Sequence, residues 1–209
     1  MRKLIGSGLV ATAAVALTVS LGAASSGASI ATTWTVKPGG SITGKASKPA
    51  LKDTATGTVV TCQAMTTAGT AKSGSGLTNP LGKVTSVTFT NCKGPGSVAL
   101  SVTASASKVH PWTLDALTYS QGVTHGKLTG ITGSLSGSGC TATVAGTKSA
   151  TPGTVNGTYT NSTHILKASG GNLHIWNVSA GCLGLAHNGD PATLKGNVRI
   201  TPGLTITSP

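Results

Sequence analysis

Beyond residue 31 the apolar positions fall on every second residue. The clearest run is Val98, Leu100, Val102 and Ala104, with Ser or Thr between most of them, and a later one places Ala192, Leu194, Gly196, Val198 and Ile200 on one side. A period of two puts one face of a strand in a core and the other in water. Helical periodicity is hard to find in the same region, so the pattern predicts an all-β protein. About ten strands are predicted, from these candidates: 33–36, 41–46, 57–62, 84–90, 97–104, 112–119, 126–135, 140–144, 155–160, 173–178 and 192–201. Glycine and proline mark turns at Lys37-Pro38-Gly39-Gly40, Asn79-Pro80-Leu81-Gly82, Lys93-Gly94-Pro95-Gly96 and Asn188-Gly189-Asp190-Pro191. Asn156-Gly157 fits two readings, a hairpin turn or the interior of a strand, because Val155, Gly157 and Tyr159 also alternate. The architecture expected is a β-sandwich or a small barrel.

The first 31 residues follow a different rule. Arg2 and Lys3 precede an apolar stretch from Leu4 to about Gly22, and small residues crowd positions 23 to 31. That is the layout of a secretory signal peptide, with cleavage after Ala28 or, preferably, Ala31. A retained membrane anchor is the competing reading, at the short edge of what spans a bilayer. The rest, 32–209, is expected to be a single domain, secreted and then extracellular or associated with the cell envelope.

Composition sharpens the picture. Thr, Ser, Gly, Ala and Val dominate, glutamate is absent, and Asp53, Asp115 and Asp190 are the only acids, so the chain carries a formal charge of +12. Beyond residue 31 the lysines are spaced singly, with no cluster denser than Lys45, Lys48 and Lys52, and Arg199 is the one arginine. Such a chain is drawn to anionic cell-wall polymers or membrane surfaces by attraction that salt weakens. A single arginine supplies almost no bidentate base or phosphate recognition, so no specific nucleic-acid binding is expected.

Four cysteines in an exported chain point to two disulfides, with three pairings open. The local patterns narrow the choice: the strand ending in Cys92-Lys93-Gly94 resembles the one ending in Cys182-Leu183-Gly184. We therefore expect Cys62 with Cys92 and Cys140 with Cys182, one bridge in each half of a diverged duplication, the halves being 32–110 and 111–209. Loops of this size stabilise by about 3.5 to 4 kcal/mol each in the chain-entropy description. Zinc is the competing reading, but no Cys-x-x-Cys occurs. In the neighbouring run Leu173-His-Ile-Trp-Asn-Val178, Trp176 is expected to be a core tryptophan near a disulfide, as are Trp34 and Trp112 in their strands.

Catalytic equipment is scarce. With three aspartates and no glutamate, a facing carboxylate pair is not expected, and each aspartate reads as a local hydrogen bonder or a lysine partner. No Gly-x-Ser-x-Gly occurs. Ser105-Ala-Ser-Lys108 matches Ser-x-x-Lys, but in so Ser-rich a chain, and without a companion Lys-Thr-Gly, the match carries little weight. His110, His125, His164, His174 and His187 are dispersed, with none at the spacing of a metal pair. Asn156, Asn161 and Asn177 fit Asn-x-Ser/Thr at a frequency close to chance. No catalytic residue, metal or cofactor is expected.

At Thr33–Gly44, Thr88–Gly96, Thr158–Thr163, Trp176–Cys182 and Gly189–Ala192 the chain resembles small secreted, cysteine-strapped, Thr/Gly-rich β-proteins of actinobacteria. The resemblance implies export and β structure, and it carries over no functional residue. The leading expectation is a non-enzymatic extracellular binding or structural protein. Two others are distinguishable by structure. A carrier of a small apolar ligand would show an interior cavity lined by alternate residues. An enzyme would show a pocket holding two or more histidines beside an aspartate.

Overall fold

The computed structural model describes residues 32–209; the segment read as a signal peptide lies outside the described residues. The described chain is all-β. In order, the strands are β1 (Trp34–Lys37), β2 (Gly40–Ser47), β3 (Ala50–Asp53), β4 (Val59–Ala71), β5 (Gly74–Leu77), β6 (Gly82–Lys93), β7 (Ala99–Ala104) and β8 (Trp112–Ser120). They continue as β9 (Val123–Ile131), β10 (Gly133–Gly137), β11 (Cys140–Ala145), β12 (Gly153–Thr160), β13 (Ile165–Gly171), β14 (Leu173–Trp176), β15 (Pro191–Thr201) and β16 (Thr205–Thr207).

Sixteen strands replace the ten or so predicted, for physical reasons. Segment 57–62 continues to Ala71 because β4 pairs with β2 and β6 over its whole second half, although Gln63–Ala71 contains no large apolar residue except Met65. Segment 126–135 breaks at Thr132 into β9 and β10, which join different neighbours. The strands β3, β5 and β16 are too short to show a period, and β13 ends in Ser-Gly-Gly. Asn156-Gly157 is strand interior: in β12 Gly157 stands opposite Gly126 on one side and Ala168 on the other.

The antiparallel pairings close into two rings of eight. The first barrel runs β2–β4–β6–β8–β9–β12–β13–β15 and back to β2. The second runs β3–β4–β6–β7–β10–β11–β14–β15 and back to β3. The long strands β4, β6 and β15 belong to both, so neither barrel is built from only one half of the chain. Closure leaves neither barrel a free edge for another chain to extend.

Between β2 and β3 the ladder is interrupted at Lys48-Pro49. Lys48 takes a left-handed conformation, and Pro49, which has no N–H to donate, is fully buried. Pro49 meets Phe89, Trp112 and Leu194 where the two interiors adjoin, and these four side chains line both. The disulfides are Cys62–Cys92, directly opposite across β4 and β6, and Cys140–Cys182, which ties the start of β11 to the loop before β15. Such bonds persist in oxidising compartments. Among the described residues no helix is long and apolar enough to cross a membrane.

A separate three-stranded sheet, β16–β1–β5, covers the first barrel. Val36, Leu204 and Ile206 from this region reach its interior. Two side chains fasten it by imitating strand pairing. Tyr159 Oη donates to Leu204 O and accepts from Leu204 N, both at 2.9 Å; the Asn161 amide does the same with Ile206 O and N at 2.9 and 3.0 Å.

Candidate functional site

The interior of the first barrel holds a cavity of about 160 Å³ with an almost wholly apolar wall. An eight-stranded barrel is just wide enough either to be filled by its own side chains or to hold one small ligand. Residue size decides between the two outcomes here. In the second barrel large side chains such as Leu135, Val144, Leu173 and Ile175 point inward, and the space left is about 60 Å³. In the first barrel the inward sites include Gly69, Gly82, Gly126, Gly157, Ala116 and Ala168, with Gly196 nearer the junction.

Most of those glycines are there because neighbouring strands approach closely. A Cβ on Gly126 would lie 2.5 Å from the carbonyl oxygen of Asp115, so the strands could not bend together as they do. Gly196 differs. A Cβ there would meet only Pro49, at an ordinary 3.6 Å, so it borders open space.

Around these small residues stand Met65, Leu114, Leu128, Leu166, Val198 and Ile200. Two of the lining residues, Trp112 and Thr124, each bury a polar atom, Nε1 and Oγ1, without a hydrogen-bond partner among the described residues and shielded from the cavity itself. Apolar cavities accept apolar guests, and one of about 150 Å³ admits benzene.

The other residues singled out by sequence lie elsewhere. The four cysteines form the two expected bridges, and no described cysteine is free. None of the five histidines lines either cavity. Trp34 and Trp112 are core residues, as expected. Trp176 is not: Leu173 and Ile175 face inward, so Trp176 lies half-buried outside the barrel, its Nε1 donating to Gly146 O at 2.9 Å.

The aspartates also depart from expectation in one respect. Asp53, only 2% exposed, closes a turn by accepting the Ala55 and Thr56 N–H groups on Oδ1 at 2.8 and 3.0 Å. Asp190 accepts the His187 N–H at 2.7 Å and lies 3.3 Å from His187 Nδ1. The pairing of β3 with β15 brings these two carboxyls together although they are far apart in sequence. Burial acts to raise the Asp190 pKa, but the His187 N–H, the Asp53 side chain and the His187 ring together hold it below the usual carboxylate value. Asp115 stands opposite Lys127 across β8 and β9.

Sequence reading held an interior cavity only as the mark of its carrier alternative and could not place it, because its marker is glycine and alanine at inward sites on seven different strands, a pattern visible only once the register is known. No family model, curated protein or solved structure matches the chain.

Proposed function

We propose that the protein is a non-enzymatic carrier that holds one small apolar molecule inside the first barrel. The observation that supports this is the apolar cavity of about 160 Å³ in a closed barrel whose inward positions are small on most of its strands. In this reading the chain is exported, and the disulfides keep the barrel closed outside the cell. The test is titration with benzene followed by amide and methyl NMR. Shifts are expected at cavity residues such as Leu128 and Ile200 and are expected to disappear in Gly196→Val, whose Cβ meets only Pro49, at an ordinary 3.6 Å. Absence of any shift at saturating benzene removes the reading.

A second reading concerns the exterior. On the outward face of β2, β15 and β13, Lys45 stands directly opposite Arg199, and Lys167 and Lys195 are close by. All four are exposed, and these strands contain no acid. Like charges directly opposite each other are unfavourable unless an anion is shared between them. This supports contact with an anionic wall polymer or membrane surface. Vesicles containing anionic lipid should bind the wild type at low salt, release it at high salt, and bind Lys45→Ser/Arg199→Ser more weakly. Binding indifferent to salt and to these substitutions removes the second reading.

A further inference from the structure

Apolar side chains left in water are not spread evenly over the molecule. Among the described residues six large ones are exposed, and four of them, Val59, Val98, Leu183 and Leu185, lie in or beside the connections at one end of the second barrel. Those connections are 54–58, 94–98, 138–139 and 177–190, which the registers of β3 with β4, β6 with β7, β10 with β11 and β14 with β15 bring to the same end. The longest crosses it. Ser179 Oγ donates to Gly139 O at 3.2 Å on one side, and Thr56 Oγ1 donates to Leu185 O at 2.9 Å on the other.

Leu183 is the extreme case. It is 87% exposed, and its backbone is left-handed, with a φ of 50°. Glycine would suit both that conformation and that exposure better than leucine. The position is not loose. Cys182 beside it is bonded to Cys140, the Leu183 N–H donates to Ala180 O at 3.2 Å, and the Leu185 N–H donates to Cys182 O at 2.9 Å. The fold therefore holds an aliphatic side chain out in water at a fixed place, and exposed apolar residues gathered in one patch mark contact with a partner or a membrane.

Charge selects the occupant. Lys52, directly opposite Val59, and Lys93, opposite Ala99, are exposed beside the patch. Of the acids nearby, Asp53 is buried and the Asp190 side chain is only 14% exposed. A second copy would bring the same lysines together, and a hydrophilic wall polymer would leave the leucines in water. A bilayer with anionic headgroups meets both demands, because the headgroups attract the lysines and the hydrocarbon receives the leucines. We propose that this end of the second barrel docks on an anionic lipid surface, with Leu183 and Leu185 entering the acyl boundary. The site uses neither the cavity nor the Lys45–Arg199 face, and so goes beyond both functional readings. Arg199 lies eight residues along β15 from Pro191, or roughly 26 Å of strand.

The test is co-sedimentation with vesicles of phosphatidylglycerol and phosphatidylcholine, against vesicles of phosphatidylcholine alone. Wild type is expected to partition onto the anionic vesicles, Leu183→Gly/Leu185→Ser roughly tenfold less, and Lys52→Ser/Lys93→Ser also roughly tenfold less. Glycine suits the left-handed backbone at 183, and a far-ultraviolet dichroism spectrum matching wild type shows that the leucine variant is folded. Insertion is read separately in Leu183→Trp. Its emission is expected to shift to the blue on anionic vesicles and to be quenched by brominated acyl chains.

A leucine variant that binds like wild type overturns the proposal, as does equal partition of wild type onto both kinds of vesicle. So does Leu183→Trp emission that stays put while the protein binds. If, with the leucine variant unaffected, Lys45→Ser/Arg199→Ser weakens binding, the exterior reading stands without this docking site. Self-association in the absence of lipid that disappears in the leucine variant assigns the patch to a second copy and also overturns the proposal. If wild type binds no vesicle even at low salt, the proposal falls together with the membrane arm of the exterior reading.

Discussion

Tyr159 shows how much a single side chain can hold in this fold. It is buried beneath the covering sheet, and its hydroxyl serves both backbone groups of Leu204. Replacing it with phenylalanine keeps the ring but leaves a buried N–H and C=O without partners, and we expect a loss of about 1–3 kcal/mol in urea unfolding. The same residue sets an alkaline limit. Burial raises its pKa above 10.0 against the lowering effect of the Leu204 bond, so the folded state retains a proton that the unfolded chain releases near 10.0. Its contribution is complete below that value and is lost as the pH rises through the higher folded value. Stability should therefore fall faster above pH 10.0 in wild type than in Tyr159→Phe; parallel curves would show that this tyrosine is not the titrating group. Little of this was legible in the sequence. Tyr159 lies in a predicted strand at 155–160, but its partner Leu204 is far along the chain, and nothing local marks a hydroxyl as a strand substitute.

Among the elements, the three-stranded cover is held by imitation of a ladder more than by length. The strands β1, β5 and β16 are four, four and three residues long, and a ribbon so short is not stable alone. Asn161 supplies β16 with a donor and an acceptor at Ile206, as a neighbouring strand would. Asn161→Ala should free the Ile206 amide to exchange with solvent faster while amides in β4 and β6 stay protected, as read by hydrogen exchange. Unchanged protection at Ile206 would mean that apolar contacts with Trp34 and Leu81 hold the cover without the amide. The predicted strands at 33–36 and 41–46 correspond to β1 and β2, because Trp34, Val36, Ile42 and Ala46 alternate strongly. The remainder was hidden for a definite reason: β4 and β13 depend on cross-strand partners, and their small and hydroxylated residues give no local period.

At the level of the whole molecule, the shared strands make two barrels behave as one body. The strands β4, β6 and β15 cannot unpair in one barrel without disturbing the other, and the four side chains at the junction pack into both interiors. Thermal unfolding followed by far-ultraviolet dichroism and by tryptophan fluorescence should give coincident transitions. Two separated transitions would show that the barrels melt independently. Reduction should lower the midpoint, because each bridge closes a long loop, of 30 and 42 residues, and contributes on the order of 3–4 kcal/mol. The alternation of apolar and hydroxyl residues was enough to determine β structure, and the likeness of the Cys92 and Cys182 segments was enough to choose the disulfide pairing, because both are properties of short stretches of chain. Closure into two rings, the meeting of Asp53 with Asp190, the outward turn of Trp176 and the space ringed by Gly69, Gly126 and Gly157 were decided only by tertiary structure. Each depends on strand register between segments distant in sequence, and register follows from the pairing of whole strands, not from any one of them.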